Sequence, residues 1–274
     1  MKVLFGTVVY NSAWKYRQEF IDSLNAQADC EFDILVINDN VEKSEIKDLT
    51  EKATRKITVI HKPHPMSIAE LRVFLLFTAK SMGYDLLILG DFDDVFSKNR
   101  VSCTIQQYSS DYAIYYNSLY TFQNQAAFHN LPDTLDSYTD ILEYNVLGLS
   151  NTAINLNMLD INFIASLSEG NTIVFDWYLY SRLLLDGMKA KLVKKAITYY
   201  RIHENNIAGS DTADEANILK EIEIKIKHYN LLKKYNPVFS KKSNQYKAIL
   251  KNNYLQYLSR ENNGYWWSKI KCKE

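Results

Sequence analysis

In the first third of the chain, the apolar positions form two kinds of pattern: short continuous runs, and longer stretches in which they recur at helical spacing. Short apolar runs predict buried strands, and longer stretches with apolar residues at helical spacing predict helices between them. Ser67 and Glu70 have the spacing of a capping box, and Gly83 supplies a helix stop. Strands alternating with helices favour a mostly parallel α/β sheet covered on both faces. The predicted strands are 2–9, 32–39, 56–62 and 84–90, and the predicted helices are 13–27, 44–53 and 65–83.

The later part of the chain is less regular. Residues 111–122 predict a strand that enters a loop, whereas residues 143–160 are ambiguous. A helix is predicted from residue 174 to Gly187, and one or two strands are predicted over 190–203. Apolar positions repeat at helical spacing from about residue 214 to 235. The α/β part is therefore predicted to continue into a C-terminal helical extension.

Charge distinguishes an α/β domain, predicted over 1–212, from a basic helical extension, predicted over 213–274. The formal net charge is zero, but residues 220–274 carry 13 Lys or Arg against 4 Asp or Glu, and the remainder carries 19 against 28. A basic extension on an acidic body indicates an anionic partner, although a solvated helical face would explain the same lysines. The aromatic run at 265–267 suits the headgroup level of an anionic membrane.

Composition excludes several other classes. No run approaches the roughly 18 apolar residues of a membrane-spanning helix, and the opening apolar run suits a first strand better than a signal peptide. The three cysteines, Cys30, Cys103 and Cys272, show no metal-binding spacing. They are typical of reduced thiols in a cytoplasmic protein.

Three carboxylates follow the fourth predicted strand in the sequence DLLILGDFDDVF, residues 85–96. Ligands of open α/β sheets bind beyond the carboxyl ends of the strands, where Asp91, Asp93 and Asp94 lie. Acids at i and i+2 of an extended segment point the same way, so Asp91 and Asp93 can share one cation. Hard oxygen donors suit Mn²⁺ or Mg²⁺. The alternative is a loop whose acids cap the next helix or face water.

Two enzyme classes place acids at such a position. DFDDV fits the first motif of the haloacid-dehalogenase-like phosphatases, in which the first Asp is the nucleophile. That family usually carries the motif on its first strand, whereas three strands precede it here, so this class is the minor alternative. The second class is the nucleotide-sugar glycosyltransferases.

Five segments in order resemble the family 2 glycosyltransferases of the GT-A fold, with features of rhamnosyltransferase-like members. The resemblance spans roughly residues 3–209 and implies a Rossmann-type, mostly parallel sheet flanked by helices. It includes the opening strand and turn, the DxD strand and the helix that carries the catalytic base. The segments are TVVYNSAWKYRQEFIDSLNAQ, ILVINDN, LLILGDFDDVF, FDWYLYSRLLLDG and YYRIHENNIAG.

The resemblance implies roles for individual residues. Asp176 would be the general base, and Asp93 and His203 would hold the metal ion. Alternatives stay open at three positions: Asp176 as a helix cap, His203 as a hydrogen-bonded loop residue, and Arg72 as the partner of Glu70 or Asp91. The implied donor-binding residues are Val9, Tyr10, Asp39, Arg72, Asp91 and Phe92.

The sequence departs from the family at two places in the nucleotide pocket. Val8 and Val9 replace a Pro-Thr pair, and Asn38 with Asp39 replaces the usual acidic pair. Both departures leave the donor base open, with a UDP- or dTDP-sugar expected. The implied reaction is a metal-dependent, inverting transfer of a hexosyl or deoxyhexosyl group to a glycan or lipid-linked acceptor.

Bacterial surface polysaccharide synthesis is the implied setting, at the inner face of the cell membrane. Residues 117–172 are expected to contact the acceptor. A non-catalytic glycan- or nucleotide-sugar-binding protein of the same fold is the other alternative. No nucleic-acid partner is expected, and an oligomer contact is a further use for the extension.

Overall fold

A computed structural model describes residues 1–202, 215–252, 254–259 and 263–272. The strands are β1 (Val3–Tyr10), β2 (Asp33–Asp39), β3 (Ile57–His61), β4 (Leu86–Leu89), β5 (Val95–Phe96), β6 (Ile114–Thr121), β7 (Thr134–Leu135), β8 (Thr152–Asn155) and β9 (Ala190–Tyr200). The α-helices are α1 (Arg17–Asn25), α2 (Lys43–Lys52), α3 (Ile68–Ser81), α4 (Arg100–Gln107), α5 (Ile161–Ser166), α6 (Phe175–Leu185), α7 (Glu215–Leu232) and α8 (Pro237–Lys251). Short 3₁₀ helices are Asn11–Tyr16, Tyr138–Ile141, Leu149–Asn151, Leu156–Met158, Leu167–Glu169 and Tyr254–Tyr257.

One sheet runs through the described residues in the order β3-β2-β1-β4-β8-β6-β9-β5, and β7 pairs with β9. The first four strands in this order are parallel to one another. β8 then runs antiparallel to both β4 and β6. The predicted fold class, a largely parallel α/β sheet flanked by helices, is confirmed. The antiparallel part begins with β8, which lies within residues 143–160, the stretch that the sequence left ambiguous.

Local sequence signals explain the parallel half of the sheet. All residues of β1 except Tyr10 are buried, as expected for a strand covered on both faces. At the start of α3, Ser67 accepts the Glu70 N–H and Glu70 accepts the Ser67 N–H, so the predicted capping box is present. Because β1 and β4 are parallel neighbours, their carboxyl ends lie side by side at the same end of the sheet.

Asn38 has a structural role at the end of β2. Its side chain is buried, accepts the Val41 N–H at 2.8 Å and donates to the Val41 carbonyl at 2.8 Å. Its amide nitrogen also lies 3.0 Å from Nδ1 of His61. An amide can both donate and accept, whereas a carboxylate only accepts. This explains locally why the chain carries Asn before Asp39.

The helical extension packs on the α/β part in one continuous apolar core. Ile222 and Tyr229 of α7, together with Tyr246 of α8, belong to the cluster that contains Leu87 of β4 and Trp177 of α6. All five side chains are essentially inaccessible to solvent. The boundary predicted at 212 and 213 lies outside the described residues and stays a prediction.

The aromatic run 265–267 does not face outward, as a membrane contact would require. Tyr265 and Trp267 are each only 8% exposed, and Trp266 is half-buried. Their rings pack on the protein, so the prediction that they lie at the headgroup level is wrong. Among the helices that the structure describes, none combines the length and the apolar character needed to cross a bilayer.

Candidate active site

A cleft of about 280 Å³ opens at the carboxyl ends of β1 and β4. β1 contributes Tyr10, α3 contributes Arg72, and the loop after β4 contributes Asp91 and Asp93. Asp176 of α6 lines the same cleft. Segments separated by more than 150 positions therefore bring five of the predicted site residues together.

The acids after β4 occupy two different environments. Asp91 is partly exposed in the cleft, and its Oδ1 accepts a hydrogen bond from Nη2 of Arg72 at 2.7 Å. Asp94 is buried, where the Ser150 hydroxyl and the Arg201 N–H donate to its two carboxyl oxygens. Burial, followed by the charges of Asp93 and Asp91, raises the pKa of Asp94 well above its usual range. Arg72 therefore pairs with Asp91, as one of the alternatives expected from the sequence stated. Arg72 also lines the cleft.

Asp94 and Ser150 were not predicted as functional residues. Their hydrogen bonds hold the acidic loop, residues 91–94, in place. The Ser150 hydroxyl accepts the Asp91 N–H at 3.2 Å while it donates to Asp94. It thus connects the cleft-facing acid with the buried one. Asp94 was visible in the sequence as the third acid of the run. Ser150 lies in the ambiguous stretch before β8, and no local signal indicated its role.

The cleft acids fit a divalent cation that is held by few protein ligands. Asp91 and Asp93 present hard carboxylate oxygens, as Mg²⁺ and Mn²⁺ prefer, and such ions take further ligands from water and substrate phosphates. In the described part of the chain, no three His, Cys, Asp or Glu side chains form a metal-binding group by themselves. His203, the predicted additional ligand, lies outside the described residues.

Asp176 lies in the first turn of α6 beside the cleft. Its Oδ1 accepts the Trp177 N–H at 2.8 Å, and Nδ2 of Asn145 lies 3.4 Å from its Oδ2. Burial is the main cause that raises the pKa of Asp176 to about 7, the Trp177 N–H lowers it, and the charge of Asp91 raises it further. The alternative that Asp176 caps a helix beginning at Trp177 is wrong, because α6 begins at Phe175, its N-cap is Val174 and no side chain caps it; the Trp177 contact lies within the first turn.

Tyr10 and Asp39 lie at the ends of neighbouring strands. They are partners in the parallel register of β1 and β2. Tyr10 lines the cleft, and burial, with the nearby charges of Asp93 and Asp91, raises its pKa. Asp39 does not line the cleft but forms an ion pair with Lys62, beside a second depression at the carboxyl end of β2. Its predicted role in binding the base stays a prediction.

Two predicted donor-binding side chains lie in the core. Val9 and Phe92 are both fully buried. The Phe92 ring stacks on Phe20 and Trp14, with ring centroids 4.5 and 5.9 Å apart. Their side chains therefore do not face the cleft, and the predicted role of both residues in binding the donor, which would then involve main-chain atoms, stays a prediction. Each is a strand or loop neighbour of a cleft residue whose side chain points the opposite way.

Residues 5–154 match the family model of glycosyl transferase family 2, and the chain therefore belongs to that family. No curated protein matches the chain. The chain is a glycosyltransferase, as its family, fold and cleft acids indicate together. The match ends before α6, so the family assignment does not depend on Asp176. The rhamnosyltransferase-like subgroup stays a prediction.

Solved glycosyltransferases share the fold at low sequence identity. Residues 1–349 of TarS from S. aureus have a TM-score of 0.60 and 13% identity, covering 94% of this chain and 72% of that chain. The mannosyltransferase PcManGT from Pyrobaculum calidifontis, in complex with GDP-Man and Mn²⁺, has a TM-score of 0.57 and 10% identity, covering 92% and 70%. GalNAc-T7 with UDP, GalNAc and Mn²⁺ has a TM-score of 0.58 and 10% identity, covering 93% and 53%.

The burial of Asp176 predicts a pH-dependent effect of Asp176→Asn on stability. A folded-state pKa near 7, above the ordinary 3.8, means that ionisation of the wild-type carboxyl disfavours folding as pH rises through this window. Asparagine has no such cost. Relative to wild type, the free energy of unfolding of the variant should therefore increase between pH 5 and pH 8, by up to roughly 2 kcal/mol. Urea unfolding in metal-free buffer measures it.

Asp186→Asn is the matched control, because Asp186 is exposed at the other end of α6. Its stability relative to wild type should not change between the two pH values. A relative stability of Asp176→Asn that stays constant or falls toward pH 8 would show that the hydrogen bond from the Trp177 N–H outweighs the cost of burying the carboxylate.

Proposed function

We propose that this glycosyltransferase is metal-dependent and inverting, and that it moves a sugar from a nucleotide-sugar donor to a hydroxyl of a glycan or lipid-linked acceptor. One observation carries the proposal. A pair of acids, Asp91 and Asp93, and a separate acid with a pKa near 7, Asp176, line one cleft at the carboxyl ends of parallel strands. The first pair suits a cation with a diphosphate, and the separate acid suits proton removal.

The donor would bind at the end of the cleft formed by β1, α3 and the acidic loop. Asp93 would hold the metal ion, with His203 approaching the ion or the diphosphate. Asp91 would lie nearer the ribose or the water ligands of the ion. The Arg72 guanidinium, 2.7 Å from Asp91, would fix the direction of that carboxylate. A bound Mn²⁺ or Mg²⁺ would stabilise the negative charge that grows on the departing diphosphate.

The solved relatives support a nucleotide sugar as the donor. PcManGT was solved with GDP-Man and Mn²⁺, TarS with UDP-GlcNAc, and GalNAc-T7 with UDP and Mn²⁺. These complexes support a nucleotide sugar with a divalent ion for this chain as well. A UDP- or dTDP-sugar that transfers a hexosyl or deoxyhexosyl group is the donor that we propose. Tyr10 would lie against its base, and Asp39 would hydrogen-bond the base.

Asp176 would remove the proton from the acceptor hydroxyl. A base with a pKa near the working pH is ionised often enough to act and still accepts a proton readily. Attack on the anomeric carbon from the side opposite the diphosphate inverts its configuration. Among the described carboxylates that line the cleft, Asp91 and Asp93 would be engaged at the diphosphate, so Asp176 is the one that we assign to the acceptor.

Bacterial surface polysaccharide assembly is the setting that we propose for this reaction. The family match supports glycosyl transfer over the phosphatase alternative, which would use the first acid of the DxD as a nucleophile. The setting itself is an expectation from the resemblance to family members. Release of nucleoside diphosphate upon addition of acceptor would separate transfer from simple binding. Release of inorganic phosphate would instead support the phosphatase.

The first prediction concerns Asp93. Wild-type protein should gain thermal stability from one member of a panel of UDP- and dTDP-sugars, and most of the gain should require Mn²⁺. Asp93→Ala should lose the Mn²⁺-dependent gain and the transfer activity. Its melting temperature without ligand should stay near that of wild type, because Asp93 is a partly exposed loop residue. Asp111→Ala, at an exposed site outside the cleft, is the control. Full transfer in excess EDTA would refute the metal requirement.

The second prediction concerns turnover by Asp176→Asn. The variant keeps the size of the side chain and loses its basicity, so donor affinity should persist while kcat falls about 100-fold or more. In wild type, kcat/KM should rise with pH through about 7 and then level off, as the carboxyl group ionises. Asp186→Asn should keep both the rate and the profile. Wild-type turnover by Asp176→Asn would exclude Asp176 as the base.

The third prediction concerns membrane attachment, which would depend on exposed lysines of the extension. Lys227 of α7 and Lys247 of α8 are examples of such residues. Attraction of lysines to anionic lipid contributes about 1 kcal/mol each and is weakened by salt. The protein should therefore sediment with anionic liposomes at low salt and much less at high salt. Equal, negligible binding to anionic and neutral liposomes would leave the extension as part of the fold or as an oligomer contact.

A further inference from the structure

The C-terminal segment 263–272 returns to the α/β domain and forms part of the cleft wall. Trp266 and Trp267 line the same cleft as Asp176. The Asn145 N–H donates to the Trp266 carbonyl at 2.9 Å, and the Trp266 N–H donates to the Asn145 carbonyl at 3.1 Å. Asn145 is also the residue whose amide lies 3.4 Å from Asp176. The tryptophan pair is thus joined, through one residue, to the proposed base.

The Trp266 ring is held in place by its neighbours. It packs edge-to-face on Phe128, with ring centroids 4.7 Å apart, and against Tyr200 at 6.2 Å. A Cβ atom on Gly148 would lie 2.4 Å from Cη2 of Trp266, so only glycine at position 148 admits the ring at this place. The ring remains half-buried, which leaves part of its surface open to the cleft.

Trp267 adopts an unusual backbone conformation beside the cleft. Its φ of 62° lies in the left-handed region, which is rare for a bulky side chain and occurs most often where the surroundings enforce it. The preceding residues supply that constraint. The Tyr265 hydroxyl donates to the Asn130 carbonyl at 2.6 Å, and a Cβ atom on Gly264 would lie 2.1 Å from the carbonyl oxygen of Ala127. The strained residue is therefore held beside the cleft, which it lines.

We infer that Trp266 and Trp267 form an acceptor subsite that receives a pyranose ring of the acceptor glycan. This inference rests on the proposed glycosyl transfer. A pyranose has a flat face of C–H groups and a rim of hydroxyls, so it buries its apolar face on an indole and keeps its hydroxyls directed outward. Seated there, the ring would present a hydroxyl toward Asp176 in a water-depleted place.

The subsite would add acceptor contacts outside the predicted stretch 117–172. The stretch 117–172 contributes Leu119 and residues 148–150 to the cleft. The aromatic platform comes instead from a segment more than 90 residues further along the chain. The occupant is the sugar ring, because the platform adjoins the base that must reach a sugar hydroxyl. The lipid chain of a lipid-linked acceptor would occupy a different place.

Fluorine NMR tests occupancy without catalysis. The chain has four tryptophans, so 5-fluorotryptophan labelling gives four signals, which Trp→Phe variants assign. In the presence of UDP or dTDP with Mn²⁺, methyl glycosides of the common hexoses should shift the signals of Trp266 and Trp267. Those of Trp14 and Trp177 should stay in place, because neither residue lines the cleft. Shifts caused by octyl glycosides but by no methyl glycoside would overturn the inference in favour of a lipid-chain site.

Kinetics test the same subsite with the donor identified from the thermal-shift panel. Trp266→Ala and Trp267→Ala should each raise KM for the methyl glycoside about tenfold or more, as truncation of a buried aromatic contact does. Hydrolysis of the donor in the absence of glycoside should stay within about twofold. Trp266→Phe should recover part of the loss. Phe77→Ala, which truncates an exposed aromatic residue of α3 outside the cleft lining, should leave KM unchanged.

The outcomes separate this inference from the proposed function. Wild-type protein that neither binds nor hydrolyses any nucleotide sugar would refute the proposed function. Wild-type protein that transfers to a glycoside, together with alanine variants whose KM for that glycoside is unchanged, would refute the acceptor subsite alone. If the alanine variants do not fold, unmoved Trp266 and Trp267 signals during active transfer by wild type would refute it equally.

Discussion

Repulsion among the carboxylates at the end of β4 is the constraint on which the site depends. Like charges this close destabilise the ionised forms unless partners or protons compensate for them. The fold compensates in a different way at each position. Asp91 contacts the Arg72 guanidinium, whereas Asp94 is buried under the Ser150 hydroxyl with a raised pKa. The buried Arg100 adds a positive charge beneath the loop, where burial lowers its pKa to about 9. A cation in the cleft would compensate for the remaining negative charge of Asp91 and Asp93.

The extension and the cleft are connected through one segment. Lys225 of α7 is fully buried, 3.6 Å from a carboxylate oxygen of Glu143 and 3.7 Å from one of Glu221. It donates to the carbonyls of Glu143 and Ile270 at 2.6 Å each. Removing one charge of a buried ionic cluster leaves the others uncompensated, so such a cluster holds its segments together. Glu143 lies two residues before Asn145, and Ile270 lies in the segment that carries the tryptophans. The extension is therefore part of the structure that shapes the cleft.

Local patterns predicted the elements that depend on neighbouring residues. The four parallel strands, the capping box at Ser67 and the helix ending before Gly187 are all present. Predictions that depended on the direction of a single side chain were less reliable. Phe92 lies between two acids that face the cleft, yet its own ring lies in the core. The aromatic residues at 265–267 were predicted to suit a membrane surface, because residue type alone does not reveal which other side chains pack against them.

The sequence was enough for the family, for the alternating strands and helices of the first third of the chain, and for the acids that follow β4 and lie in the first turn of α6. These features are encoded within short windows, where periodicity and residue type suffice. Tertiary structure alone decided that Asp91, Asp176 and Trp266 share one cleft, because they are far apart along the chain and meet only through packing. It also decided that Asp176 has a pKa near 7, since desolvation depends on every segment that surrounds the carboxyl group.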